Sequence, residues 1–251
     1  MSAHALHRPG DTSAHLLAPQ IKIVSTFLFV VCVVATPRTE FAAFGAYLVV
    51  LTGVWVIARI PPRWLAPRAL IEVPFVALAV LLPFVGGGTR TDMLGVSVSV
   101  DGALAGWNIV AKGTLGVLAS LTLAATTSPS EILLGLQRLR VPKLIITVAT
   151  LMLRYVELIA AEARRMRLAR IARGHDPRFL WQVGATARGI GTLFVRTYER
   201  GERVHLAMLS RGWTGAMPEP NPPRVSTVDW LAGLVPAGLA AAMLVGALWA
   251  G

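Results

Sequence analysis

Two short stretches, Ala172-Arg173-Gly174 and Ser210-Arg211-Gly212, offer the same chemistry 38 residues apart. Each closes a longer match, Arg165–Gly174 against Arg203–Gly212, in which five of ten positions are identical. An arginine presents a planar fork of donors that grips a carboxylate or a pair of carbonyls, and a glycine after it lets the chain leave a helix in the left-handed conformation. One such Arg-Gly is accounted for as an ordinary C-terminal cap, with the cation beside the negative end of the helix dipole. Two matched copies point instead to two equivalent protrusions, each offering a guanidinium to an acidic or carbonyl-lined groove on a partner.

Glu72 and Lys112 lie inside apolar segments, where an unpaired charge is costly. Each is a functional candidate and the two are candidate partners, with carbonyl binding or snorkelling as the alternative for Lys112. His4, His7 and His15 near the N-terminus suggest a metal site, but no acidic or cysteine ligand is spaced with them and a flexible tail provides no scaffold, so none is assigned. His205 sits beside an apolar face in the second copy and reads as packing. The single cysteine, Cys32, excludes a disulfide within the chain and any CxxC site. The sequence holds no GxxxxGK[ST] phosphate loop, HExxH or GxSxG motif, so it is read as non-catalytic and without a cofactor.

The elements that must position these residues are set by the bilayer. With 55% hydrophobic and 15% charged residues and a mean hydropathy of +0.62, the chain has too little polar surface for a soluble globule. Five apolar segments are expected to cross: Ile21–Thr36, Phe41–Ala58, Ala69–Gly86, Ala103–Thr126 and Thr227–Ala250. The fold class is therefore all-α, a polytopic membrane protein with a cytoplasmic domain of amphipathic helices. Met1–Ala14 reads as a flexible tail, residues 15–126 as four spans, 127–225 as the cytoplasmic insert and 226–251 as the last span. Loop Arg59–Arg68 carries three arginines and no acid, which places it, the N-terminus and the insert inside. Residues 138–211 hold 15 of the 24 Lys and Arg and only five acids, ten of the eleven net positive charges. Topology and anionic headgroups account for most of that charge. No zinc motif or RNP-like aromatic run accompanies the arginines, so nucleic acid is not a partner.

Within the insert, Thr127-Ser128-Pro129-Ser130-Glu131 is a helix-start signal. From Lys143 the apolar positions Val148, Met152, Tyr155, Ile159, Ala163 and Met166 follow a helical period, describing a long amphipathic helix off the bilayer that stops at Gly174. A second long helix follows Pro177, with Val183, Ala187, Ile190, Phe194, Tyr198, Gly201 and Met208 on one face, and stops at Gly212. Gly184, Gly189, Gly191 and Gly201 predict a close crossing of the two.

These residues resemble the transmembrane T component (EcfT/CbiQ) of energy-coupling factor (ECF) transporters, most of all its cobalt and nickel type, CbiQ. The likeness runs from His15-Leu-Leu-Ala-Pro-Gln-Ile-Lys22 through Thr127–Pro142 to the paired small-Arg-Gly motifs, and is densest over Tyr198–Trp213. The second motif departs from Ala-Arg-Gly only in Ser210. The resemblance implies a coupling subunit of an ABC importer in the cell inner (cytoplasmic) membrane, with two cytoplasmic ATP-binding cassette ATPases and a membrane-embedded, CbiM-like S component as partners. It further implies that Arg173 and Arg211 enter grooves on the ATPases and that the cargo is cobalt or nickel. The alternatives are a T component for a vitamin or a self-contained secondary transporter; the latter should show an inverted repeat of spans.

Overall fold

The computed structural model describes residues 7–85, 87, 90–93, 96–174, 184–215 and 225–250. Those residues form helices α1 (Ser13–Leu16), α2 (Pro19–Ala35), α3 (Phe41–Ala58), α4 (Pro62–Ala69), α5 (Val73–Val85), α6 (Val100–Thr126), α7 (Pro129–Arg138), α8 (Lys143–Ala172), α9 (Gly184–Ser210) and α10 (Thr227–Ala250). One short hairpin, β1 (Arg90–Met93) with β2 (Val96–Ser99), interrupts the otherwise all-α chain, Arg90 pairing with Ser99. The alternation Val96, Val98, Val100 with Ser97 and Ser99 between them favours a strand over another turn of helix. Ser99 ends it by accepting the Gly102 N–H at 3.0 Å while donating to the Gly87 carbonyl at 2.8 Å, which starts α6.

The described residues divide into two compact units, those up to 135 with 225–250, and those from 136 to 215. In the first, α6 is flanked by α2, α3 and α5, and α10 lies along α2 and α3. Its core is Phe29 and Val33 of α2, Phe44, Tyr47 and Leu51 of α3, Leu115 and Ala119 of α6, and Ala240 of α10. Several polar groups in this interior are paired, as burial away from water favours, while Asn108 Oδ1 and Thr127 Oγ1 are buried without a partner. Tyr47 and Thr36 share a hydroxyl hydrogen bond of 2.8 Å, and Trp55 Nε1 donates to Thr122 Oγ1 at 2.7 Å. Between α4 and α5 the chain tightens into a 3₁₀ turn over Leu70–Glu72, because Pro74 lacks an N–H and its ring crowds the carbonyl four residues back.

Close backbone packing occurs between α5 and α6. A Cβ on Gly102 would stand 2.5 Å from the Leu82 carbonyl oxygen, and one on Gly106, a turn later, would press on that of Ala79. The pair forms a small-xxx-small seam. The glycines expected to seat α8 on α9 do not do so. Gly184, Gly191 and Gly201 have open space where a Cβ would be, and Gly189 faces α8 only through the ends of the Arg170 and Met166 side chains, not through its backbone.

Five helical stretches are long and apolar enough to cross a bilayer: Phe41–Ala58, Pro62–Val85, Val100–Thr126, Lys143–Ala172 and Thr227–Trp249. The number is the expected one, with one exchange. At 17 residues α2 spans only ~25 Å of the roughly 30 Å hydrocarbon core, although Ile21, Phe29 and Val33 are buried in the bundle. Lys143–Ala172 joins the set, contrary to the expected amphipathic reading, because its first half is apolar on several faces. Leu144, Ile145, Val148, Met152 and Val156 are all exposed, and after Lys143 no charge occurs until Arg154 and Glu157, with most of it from Glu162 onward.

In the second unit α8 and α9 pack on each other. Glu162 binds Arg165 and Arg196, each at 2.9 Å, and Thr147 Oγ1 donates to the Gly215 carbonyl at 3.3 Å. Val183 and the chain from 175 onward that precedes α9 lie outside the described residues, as does His4.

Candidate coupling site

Both small-Arg-Gly motifs form the same turn. At the end of α8 the Arg173 N–H donates to the Arg170 carbonyl at 3.1 Å and the Gly174 N–H to that of Ile171 at 2.9 Å. At the end of α9 the Arg211 N–H donates to Met208 at 3.1 Å and the Gly212 N–H to Leu209 at 2.9 Å, with Trp213 adding a bond back to Met208 at 3.0 Å. Gly174 and Gly212 share a φ of +77°, and a Cβ at either would meet only open space. Glycine is thus required by the backbone angle and not by crowding. Ala172, Arg173, Gly174, Ser210, Arg211 and Gly212 are all exposed.

The surroundings of the two turns differ. Arg173 borders a groove of about 600 Å³ shared with Glu162, Arg165, Arg170, Arg188 and Arg196, five guanidiniums around one carboxylate. Such a concavity repels cations and attracts acidic surface. The turn at Arg211 adjoins an apolar groove of about 360 Å³ between α8 and α9, lined by Leu151, Tyr155, Val204, Met208 and Trp213. His205 stands edge-on to the Trp213 ring at 5.9 Å, the packing role expected of it.

The expected pair of Glu72 and Lys112 is not brought together. Glu72, 5% exposed, accepts from Thr114 Oγ1 at 3.0 Å and lies against Gly113. Lys112 donates to the Val34 carbonyl at 2.7 Å. Residues 112 and 114 point some 200° apart around α6, so the 3₁₀ turn before α5 receives Thr114 and the end of α2 receives Lys112. Carbonyl binding, the alternative for Lys112, is what the structure contains.

Lys22, at the head of α2, also finds partners that its local sequence does not reveal. Its ammonium donates to the carbonyls of His15 at 2.8 Å and Thr126 at 3.0 Å. The rule that singled out Lys112, a lysine within an apolar segment, applies to Lys22 equally. It helps to tie down the described part of the segment expected to be a free tail. There the Arg8 N–H bonds the Ala125 carbonyl at 3.0 Å, and His15 bonds Thr12 Oγ1 at 2.7 Å and the Arg8 carbonyl at 3.1 Å. Burial lowers the His15 pKa, which favours its neutral ring. Among the described residues no three His, Cys, Asp or Glu side chains gather as metal ligands.

Comparison with known proteins identifies the family. Residues 10–222 match the model of the CbiQ family, described as cobalt transport protein. The chain is 32% identical over 179 residues to the cobalt transport protein CbiQ of Rhodobacter capsulatus, covering 69% of this chain and 70% of that one. It is 25% identical over 225 residues to the energy-coupling factor transporter transmembrane protein EcfT of Bacillus selenitireducens, covering 82% of each. It is 27% identical over 215 residues to a putative fused cobalt transport protein CbiMQ of Methanocorpusculum labreanum, covering 80% of this chain and 35% of that longer one.

Proposed function

The chain belongs to the CbiQ family of multi-pass membrane transport proteins, and from that premise we propose that it is the energy-coupling subunit of an ECF-type importer for cobalt. Arg173 and Arg211 are its contact points with two ATP-binding cassette ATPases, and its membrane bundle carries their movement to a substrate-binding S component. The observation that supports this most directly is the duplicated turn: two exposed arginines with the same backbone hydrogen bonds, each followed by glycine at the same φ. The basic groove beside Arg173 suits an acidic ATPase surface. The arginine-only loop Arg59–Arg68 and the charged ends of α8 and α9 are cytoplasmic on this reading, the side from which ATP is supplied. Energy comes from the partners, since the chain has no phosphate loop of its own.

The test is the double variant Arg173→Glu, Arg211→Glu in the complete complex. Charge-assisted hydrogen bonds contribute about 1.5–3 kcal/mol each, so one loss weakens ATPase retention and two abolish it, while the bundle stays folded. Normal co-purification of the ATPases and normal uptake would reduce both arginines to helix caps. The EcfT relatives favour a second reading, a T component for another cargo. Uptake of radioactive cobalt, with and without competing nickel, by cells carrying the whole system separates the two.

A further inference from the structure

Helices α2 and α6 run antiparallel, and each supplies a lysine to the C-terminal end of the other. Lys22, near the start of α2, donates to the carbonyl of Thr126, the last residue of α6, at 3.0 Å. Lys112 of α6 donates to the carbonyl of Val34, in the last turn of α2, at 2.7 Å. The last carbonyls of a helix have no partner within it and carry the negative end of its dipole, so a cation there satisfies both needs. The chain has only three lysines against 21 arginines, and two of the three do this. A compact ammonium on a flexible stem suits a single carbonyl, whereas a guanidinium fork suits paired acceptors.

The end of α6 is also where α7 begins. Ser128 and Glu131 form a reciprocal capping box there, Ser128 N–H to Glu131 Oε2 at 2.7 Å and Glu131 N–H to Ser128 Oγ at 3.3 Å. One turn beyond Glu131, Gly135 lies on the first turn of α2. A Cβ there would be 2.7 Å from Ile23 Cδ1 and 3.0 Å from the Gln20 nitrogen. The boundary between the two compact units falls directly after Gly135, inside α7. A displacement arriving along α7 therefore enters the bundle by two routes, through the covalent chain into the end of α6 and by contact into the start of α2. Lys22 joins those two ends.

We propose that Lys22 and Lys112 fasten α2 and α6 into one strut, so that movement of α7 carries both helices together, and that the two lysines are thereby positioning residues for energy coupling. This rests on the coupling function above. Neither lysine touches cargo or nucleotide; each acts by holding a helix end.

The experiment uses the complete complex with its ATPases in lipid nanodiscs, in a Cys32→Ser background, with spin labels at Phe27→Cys on α2 and Ser120→Cys on α6, both exposed positions. With both lysines present, the interlabel distance is the same without nucleotide and with ATP trapped. In Lys22→Met the distance broadens or shifts with nucleotide, ATP hydrolysis continues and uptake is lost, while Lys22→Arg, which keeps a donor, retains uptake. A nucleotide-dependent distance with both lysines present overturns the strut, as does uptake per ATP in Lys22→Met equal to the parent. Should Lys22→Met fail to assemble, the distance in the lysine-intact complex decides alone. A parent chain that never retains ATPases overturns the coupling function and the strut with it, and the pull-down shows this before any label is read.

Discussion

Adding a single methyl group at Gly106 is expected to loosen the membrane bundle, while the same addition at Gly116 on the same helix tightens it. A Cβ at Gly106 meets the Ala79 carbonyl oxygen of α5 inside any normal contact distance, and that atom belongs to backbone that cannot rotate away. At Gly102 the clearance to the Leu82 oxygen is 2.5 Å. Restoring an ordinary separation moves α5 outward by about 1 Å along this seam, and overpacking of that kind costs about 1–3 kcal/mol. At Gly116 nothing lies within 4 Å, so alanine there gains only helix propensity, roughly 0.5–1 kcal/mol. For a chain of this size each kcal/mol corresponds to about 2–4 °C in Tm. Gly106→Ala should therefore melt several degrees below the parent in detergent and Gly116→Ala slightly above it. Equal shifts, or a more stable Gly106→Ala, would refute the close approach of α5 and α6.

Because Glu72 and Lys112 have different partners, the stability losses of Glu72→Gln and Lys112→Met should add in the double variant; a coupling beyond about 0.5 kcal/mol in thermal unfolding would show that they interact. Alanine at Gly174 or Gly212 must adopt a φ of +77°, costing about 1–2 kcal/mol, and should speed amide exchange at Arg173 and Arg211 respectively. The neutral His15 ring bridges Thr12 and Arg8, and its pKa lies below the ordinary 6.5. Its stabilising contribution is thus complete above pH 6.5 and lost as the pH falls through the lowered value. Amide exchange at Arg8 should accelerate on acidification in the parent but not in His15→Gln.

What the sequence made legible is local. The paired Arg-Gly turns, the Ser128–Glu131 helix start and the stops at Gly174 and Gly212 depend on residues within one or two turns of each other, and all appear where expected. What it did not reveal depends on which helix lies opposite. Gly102 and Gly106 look no different in sequence from Gly184, Gly191 and Gly201, yet only the first two meet another backbone. Glu72 and Lys112 were paired on charge alone, whereas the bundle offered Lys112 an unsatisfied carbonyl nearer than any carboxylate. Lys22 was hidden for the same reason, since its acceptor Thr126 is 104 residues away. The hairpin is weakly marked because a four-residue strand offers only one brief alternation, Val96 to Val100.

The placement of α10 along α2 has a consequence for biogenesis. The ribosome delivers α2 early and α10 last of the described helices, yet Gly233 of α10 is pressed against Ile21 of α2, and Ala240 of α10 lies in the core with Tyr47. During most of synthesis α2, short for a span and carrying Lys22, waits in the bilayer without the neighbour that covers it. A nascent chain halted before residue 227 leaves that flank of α2 without its protein neighbour. Completion of the bundle therefore waits on arrival of the final helix.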